Sequence, residues 1–337
     1  MWTWIQYSGG FLLGWGLGAN DSANVFGTAV SSRMVKYSLA VVLTALFVIL
    51  GAIMQGQAGI ETLSKDLTRN NVSSSIKIEL SQNGSKNPID KAAQIAMIAS
   101  FSAALTIVVL TIMKLPVSTS QAVVGAIIGV GFMRRDVNFS GLGKVVACWI
   151  GTPVGAILFT VIFYWIFKKI LGKWNPSVFV YDPFMSMLLI VCGCYGAYAL
   201  GANNVANVSA VFVSGGMLSV KQAAVFGAFT IAAGVLTFSK PVMMTVGRGI
   251  IKLNSFTAFI CVLSQAVTVH IYAMVGVPVS TSQAVVGAVL GIGLIKGVHT
   301  VNYKMLLGIS AGWIATPIVA ALFAAIGYFI SNLRYTG

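Results

Sequence analysis

The chain has 337 residues, of which 57% are hydrophobic and 8% charged, and its mean hydropathy is +0.90. A soluble domain carries charge on roughly a quarter of its residues, so this composition excludes an ordinary soluble protein. The formal net charge is +14. Its basic residues lie mainly in loops and at the ends of apolar segments, where positive charge orients membrane proteins, so the charge does not indicate nucleic-acid binding.

Nearly uncharged segments recur along the whole chain, and many reach the about 20 residues that a membrane-spanning helix needs. They occupy residues 1–32, 37–60, 92–113, 115–133, 145–167, 183–220, 222–239, 253–295 and 305–333. The pattern predicts an all-α polytopic membrane protein, which we expect in the cell membrane, plasma or inner.

The first apolar segment contains Gly-Ala-Asn-Asp-Ser-Ala-Asn at residues 18–24. Its Asp21 is the single carboxylate that the sequence places within an apolar segment. A carboxylate inside a membrane is costly and by default marks a functional site. The alternative is an aspartate that is hydrogen-bonded only to hold helices together.

The polar stretch at residues 61–91 separates the second and third apolar segments. It contains charged residues together with Asn, Ser and Gly. We interpret it as one long loop.

Residues 116–126 read Pro-Val-Ser-Thr-Ser-Gln-Ala-Val-Val-Gly-Ala. Pro116 disfavours helix in the residue before it, so a new helix is expected to begin at Ser118. Ser-x-x-Gln is a capping box, and simple capping is one explanation. A first helical turn at membrane depth, however, also presents free N–H groups and a partial positive charge. With three hydroxyls and an amide beside them, these groups predict an oxyanion site.

Three motifs occur twice in the same order. The motif at 18–24 returns at 201–207, an offset of 183; the motif at 116–126 returns at 278–288, an offset of 162; and Trp-Ile-Gly-Thr-Pro at 149–153 returns as Trp-Ile-Ala-Thr-Pro, an offset of 164. The chain is therefore read as a duplication. We assign 1–167 to the first repeat, 168–182 to a linker and 183–337 to the second repeat.

Carboxamide oxygens surround the two copies of the first motif. With main-chain carbonyls freed by helix breaks expected at Gly18 and Gly201, they predict a hard-oxygen shell for a small cation such as Na+. The predicted cation ligands are Asp21, Asn20, Asn24, Asn203, Asn204 and Asn207. Asparagine amides can also donate to an anion, so some of these residues can serve both ligands.

The distribution of basic residues decides how the repeats are related. With the N-terminus outside and the 61–91 loop set aside, five crossings per half place eleven basic residues inside and five outside. Four crossings place nine inside and seven outside. The positive-inside rule favours the first arrangement, which makes the repeats inverted. Broken or re-entrant helices then meet near the bilayer midplane, where they must be buried in protein or line a cavity.

These paired motifs resemble those of the inorganic phosphate transporter (PiT) family of secondary carriers, and the resemblance covers essentially the whole chain. It implies a sodium- or proton-coupled symporter of orthophosphate, with both termini outside in the sodium-coupled branch. Asp21, Asn24 and Asn207 correspond to core positions of the family. The phosphate-binding residues are then Ser118, Thr119, Ser120, Gln121, Ser280, Thr281, Ser282 and Gln283, with Asn24 and Asn207 shared between the two ligands.

The sequence departs from the family pattern at Asn204, where the second motif usually has aspartate. The loss removes one anionic cation ligand or one proton carrier. Only Asp21 and His270 can then titrate within apolar segments, so we expect sodium rather than proton coupling. For His270, a hydrogen-bonded packing role and a functional role stay equally open, and Lys240 is expected to extend to the interface.

The predicted function is import of inorganic phosphate coupled to Na+, without a cofactor. The alternative is a permease of the same fold that uses protons or carries sulfate. An intramembrane hydrolase would need a base beside a serine nucleophile. Lys114 lies four residues before Ser118, but Gly276 holds the equivalent place in the second copy, which argues against a hydrolase. A passive anion channel gives no reason for Asp21. Sequence leaves the oligomeric state, monomer or homo-oligomer, open.

Overall fold

The computed structural model describes residues 5–66, 88–112, 117–173, 176–246, 253–297 and 302–333. This part of the chain is all-helical: a 3-10 turn at Ile5–Tyr7 precedes eleven α-helices and no strand is present within it. The helices are α1 Ser8–Ser31, α2 Tyr37–Gln55, α3 Gln57–Asp66, α4 Pro88–Ile112, α5 Thr119–Met133, α6 Phe139–Leu171, α7 Val178–Ser214, α8 Val220–Val246, α9 Ser255–Val275, α10 Thr281–Lys296 and α11 Tyr303–Leu333.

Seven of the described helices are long and apolar enough to cross a membrane, namely α2, α4, α6, α7, α8, α9 and α11. The polar motif keeps α1 out of this group although it has 24 residues. Helices α5 and α10 have 15 and 16 residues. At 1.5 Å per residue each extends about 22–24 Å, less than the ~30 Å hydrocarbon core. The prediction of a polytopic all-α membrane protein is confirmed.

The structure differs from the predicted loop at both ends of residues 61–91. Helix α3 continues to Asp66, and α4 begins at Pro88. The reason is tertiary: Ile60 and Leu63 are buried where α3 packs on α7, and this contact stabilises a mostly polar helix. Residues 67–87 lie outside the described residues.

The helix breaks expected at Gly18 and Gly201 are absent, because α1 and α7 run without interruption through both glycines. Each glycine instead lets two helices cross closely. A side chain at Gly18 would collide with the main chain of Ile231 on α8, and one at Gly201 would collide with Val48 on α2. The main-chain carbonyls near these glycines therefore stay in helical hydrogen bonds and are not freed for a cation.

The two halves pack reciprocally. Helix α1 packs on α8 and α2 packs on α7, while α5 packs on α11 and α6 on α10. The contacts match in detail, since Gly51 meets the main chain of Tyr198 just as Gly234 meets that of Trp15. The first two helices of each half thus pack on the first two helices of the other half.

Helices α1 and α7, which occupy corresponding places in the two halves, run antiparallel. Tyr7 at the start of α1 packs on Phe212 near the end of α7, and Ser186 near the start of α7 donates to the Met34 carbonyl oxygen just beyond α1. Inverted repeats require this antiparallel relation. The repeat boundaries and the orientation in a membrane remain predictions.

Two helical hairpins reach into the middle of the protein. In the first, α4 and α5 lie side by side, since Ile95 and Ile127 line one cavity. In the second, α9 packs on α10. We call residues 117–121 the first tip and residues 276–283 the second tip. The second tip begins with Gly276 at φ 80°, and Val277 before Pro278 is non-helical, as predicted. Pro116 lies outside the described residues.

Candidate functional site

The two tips meet inside the protein. The Ser118 hydroxyl donates to the Ser280 hydroxyl over 2.8 Å, and both side chains are buried. Each of these serines also lies within hydrogen-bond distance of the serine two residues on, 3.3 Å from Ser118 to Ser120 and 2.9 Å from Ser280 to Ser282. The predicted meeting of two helix beginnings is confirmed, and it concentrates four hydroxyls at one point.

Each tip forms only one of the two hydrogen bonds of a capping box, the bond from the glutamine N–H to the serine hydroxyl oxygen. The Gln121 N–H donates to Ser118 Oγ over 3.4 Å, and the Gln283 N–H donates to Ser280 Oγ over 3.3 Å. The glutamine side chains do not complete a capping box. Gln121 Oε1 and Gln283 Oε1 are buried and find no hydrogen-bond partner among the described residues. A buried, unpaired carbonyl oxygen is costly, so each is available to an N–H donor or to a cation.

Asp21 lies beside the first tip and is 1% exposed. Its Oδ2 accepts hydrogen bonds from the Thr119 hydroxyl at 3.0 Å and from the Asn204 amide at 2.9 Å, while Oδ1 accepts from the Asn20 amide at 3.0 Å. The carboxylate therefore links α1, the first tip and α7. In the described part of the chain the ion pair found is Lys65–Glu61, so no basic side chain there neutralises Asp21.

The second tip is held differently. Asn203 donates through Nδ2 to the Val279 carbonyl oxygen and accepts the Val279 N–H at Oδ1, both over 2.8 Å. This two-point pairing fixes the tip to α7. In the structure the Asn203 oxygen is thus engaged with the backbone. Nothing in the sequence pattern distinguishes Asn203 from Asn20, and this role could be found only from the structure.

The remaining asparagines complete the cluster. Asn24 donates to the Thr281 hydroxyl over 3.2 Å, so α1 contacts the second tip through Asn24 and the first tip through Asp21. Asn204 Oδ1 accepts from Asn203 at 2.6 Å and from Asn207 at 3.2 Å. Asn207 Oδ1 is buried without a partner among the described residues. The structure therefore brings all the predicted site residues into one central cluster.

The cluster contains two chemically different surfaces. The tips supply hydroxyl groups and the free N–H groups of two first helical turns, which suit an oxyanion. Asp21 and the unpaired oxygen of Asn207 supply hard-oxygen ligands, which suit Na+ or a similar cation. Since Thr119 of the first tip donates directly to Asp21, an anion and a cation bound here would be close neighbours.

His270 and Lys240 lie apart from these contacts. The His270 ring is 2.7 Å from the Tyr195 hydroxyl and 2.6 Å from Gln55 Oε1, so His270 connects α9 to α7 and α2. Lys240 is exposed, with its ammonium 5.6 Å from the centre of the Tyr37 ring. The exposed position fits the predicted extension of Lys240 to the interface.

Paired broken helices that meet in the interior of an all-helical membrane protein are typical of membrane transporters. The model of the phosphate transporter family matches residues 17–324. The chain therefore belongs to this family, whose members are transporters and not enzymes.

Curated relatives cover nearly the whole chain. A protein of Methanocaldococcus jannaschii named a putative phosphate permease is 29% identical over 94% of this chain and 93% of its own length. The sulfate permease CysP of Bacillus subtilis is 26% identical over 94% of this chain and 84% of its own length. A solved structure described as "The sodium-dependent phosphate transporter" has a TM-score of 0.82 at 23% identity and covers 98% of this chain and 99% of that one. This last match confirms the fold.

Proposed function

We propose that the protein imports inorganic phosphate together with Na+. The observation that carries the proposal is the buried contact between Ser118 and Ser280, which joins two helix beginnings next to the buried carboxylate of Asp21. Family membership supports phosphate as the substrate. The structural likeness to a protein described as sodium-dependent supports Na+ as the coupling ion.

Phosphate would bind between the tips. Its oxygens would accept from the hydroxyls and the first-turn N–H groups, with Asn24 and Asn207 able to donate as well. The Ser118–Ser280 hydrogen bond occupies this position in the structure, so phosphate must replace that contact with bonds to its own oxygens. The proposed phosphate ligands are Ser118, Thr119, Ser120, Gln121, Ser280, Thr281, Ser282, Gln283, Asn24 and Asn207.

Sodium would bind at Asp21 and the carboxamide oxygens around it. Among the proposed ligands Asn20, Asn24, Asn203, Asn204 and Asn207, Asn207 has the strongest support because its oxygen is buried and unpaired. We assign Asn203 to positioning, because its oxygen already accepts from Val279.

Energetics explains why the two ligands belong together. Moving a divalent anion into a negative cell costs ~4.6 kcal/mol per 100 mV, at ~2.3 kcal/mol per charge. More than two co-moving cations let the membrane voltage drive the cycle. A cation beside the anion also offsets part of the desolvation cost of both charges.

The proposed topology follows from the repeat. Residues 1–167 and 183–337 form inverted halves around a linker at 168–182, with both termini outside a cell membrane. The antiparallel course of α1 and α7 supports the inversion. Cysteine labelling in intact cells and in inside-out vesicles, at the exposed and repeat-related positions Phe132 and Leu294, tests it: inverted repeats place the two positions on opposite sides, and parallel repeats place them on the same side.

Uptake of labelled phosphate into proteoliposomes tests the function. We expect uptake to require an inward Na+ gradient and to increase with an inside-negative potential. Uptake that is equal without sodium and that disappears when the pH gradient is collapsed would overturn the assignment of the cation.

The second candidate substrate is sulfate, which the relationship to a sulfate permease favours. Inhibition of labelled phosphate uptake by unlabelled sulfate distinguishes the two substrates. We expect a tenfold excess of sulfate to leave labelled phosphate uptake largely intact, and strong inhibition would transfer the proposal to sulfate.

A further inference from the structure

The repeated Trp-Ile-x-Thr-Pro motif takes no part in the contacts described above. The indole nitrogens of Trp149 on α6 and Trp313 on α11 are both buried, and neither has a hydrogen-bond partner in the described ranges. An unpaired buried indole N–H is costly, and tryptophan usually finds a partner for it. That the same group is unpaired in both copies points to a shared purpose.

Packing fixes the level of each tryptophan. A side chain at Gly287 on α10 would meet the main chain of Pro153 on α6, and one at Gly291 would meet Ile157 and Thr160. Residue numbers increase in the same direction along both helices at these contacts, so α6 and α10 run parallel. One turn before the Gly287–Pro153 crossing, Trp149 is therefore level with Gln283.

Helical periodicity also fixes the direction. Residues four apart share one face of a helix, so Trp149 lies on the face of Pro153 that meets α10. Gln283 lies on the face of Gly287 that meets α6. A cavity lined by both Val145 and Pro278 gives the same alignment one turn earlier.

The second copy repeats this geometry. Side chains at Gly125 and Gly129 on α5 would meet the main chain of Pro317 and Ala321 on α11. The same four-residue step places Trp313 level with Gln121. In both copies, the tryptophan with the unpaired indole N–H is thus level, across a helix pair, with the glutamine whose amide oxygen is buried and unpaired among the described residues.

We propose that Trp149 and Trp313 are positioning residues, which donate their indole N–H groups to Gln283 Oε1 and Gln121 Oε1 when the transporter holds its anion. The proposal rests on the function proposed above. An amide whose oxygen accepts from tryptophan directs its –NH2 group the other way, towards the tips. Each glutamine then serves the anion as a hydrogen-bond donor, and its oxygen is not a sodium ligand.

Conservative substitution tests the inference. Trp149→Phe and Trp313→Phe keep an aromatic ring and remove the N–H donor. We expect each to raise the phosphate KM about 10-fold, because a glutamine that is no longer oriented loses its hydrogen bond to the charged anion. The maximal rate and the sodium concentration for half-maximal uptake should not change, because neither tryptophan touches the cation. Trp165→Phe is the matched control on α6, since Trp165 is 56% exposed and distant from the tips.

A double-mutant cycle separates positioning from a general loss of packing. Trp149→Phe should have no further effect on KM in a Gln283→Leu background, while Trp149→Phe with Gln121→Leu should show the product of the two single effects. A wild-type KM in both tryptophan variants, or independent effects of Trp149→Phe and Gln283→Leu, would overturn the inference.

Failure of the tryptophan role can be distinguished from failure of the proposed phosphate import. If wild-type protein takes up phosphate and the tryptophan variants match it, the positioning role is wrong and the function stands. If wild-type protein takes up sulfate and not phosphate, the same KM comparison made with sulfate decides the role of the tryptophans.

Discussion

The two copies of the Gly-Ala-Asn motif have nearly the same sequence but make different contacts. In the first copy, Asp21 accepts hydrogen bonds from both halves of the protein, and Asn20 bonds only to that neighbouring carboxylate. In the second copy, Asn204 is uncharged and Asn203 pairs with the backbone of Val279. One copy provides the charge of the site, and the other fixes a tip in place.

The largest expected effect comes from removing the charge. Asp21→Asn should abolish sodium-driven phosphate uptake, because an amide has no charge to offer the cation and introduces donors next to Thr119 and Asn204. Uptake in proteoliposomes with and without sodium measures the effect. A thermal unfolding midpoint near that of the wild type in detergent would show that the variant is folded, and near-normal sodium dependence would contradict the role of Asp21.

A second effect compares the two tips. Replacing Ser118 and Thr119 together with Ala should raise the phosphate KM by about 10-fold or more, because each lost hydrogen bond to a charged group contributes ~1.5–3 kcal/mol. Replacing Ser280 and Thr281 should raise it to a similar extent. Concentration series of uptake, normalised to protein inserted, measure both. A change in one double variant alone would show that the anion is bound by a single tip.

A third effect concerns the second tip, which Asn203 holds in place. Asn203→Ala removes both hydrogen bonds to Val279 and should lower the free energy of unfolding by about 1–3 kcal/mol. Asn20→Ala, the matched change in the first copy, removes one bond to a side chain that has two other donors and should have less effect. Thermal unfolding in detergent compares them, and equal losses would contradict the division of roles.

The smallest expected effect is the reverse change. Asn204→Asp restores an acid to the second copy, 2.9 Å from Asp21 in the present contact. Two carboxylates at that distance repel each other, and an additional cation would relieve the repulsion. We expect sodium activation of uptake to become steeper while the maximal rate changes only a few-fold. Sodium titrations with unchanged steepness would argue against an additional bound ion.

Sequence predicted the parts of the site that depend on local chemistry. Ser118 and Ser280 cap their helices because Ser-x-x-Gln after a proline favours a helix start, and their burial follows from the apolar residues around them. The second hydrogen bond of a capping box, from the serine N–H to the glutamine side chain, does not form, because the Gln121 and Gln283 side chains are buried and their oxygens have no partner among the described residues. The breaks at Gly18 and Gly201 were wrong because glycine serves equally for a break and for a close helix crossing, and only the partner helix distinguishes these uses. The pairing of Asn203 with Val279 spans 76 residues and has no local signal.

The glycine crossings have a consequence for how the chain assembles. Because α1 rests on α8 and α2 rests on α7, each half relies on the other to cover four glycine crossings, at Gly18, Gly51, Gly201 and Gly234. A chain cut between α6 and α7 should give two fragments that are insoluble or degraded when made singly, and that recover a stable fold when produced in the same cell. In this sense the two halves resemble the subunits of a heterodimer that are joined in one chain, and we expect each half to need the other in order to fold.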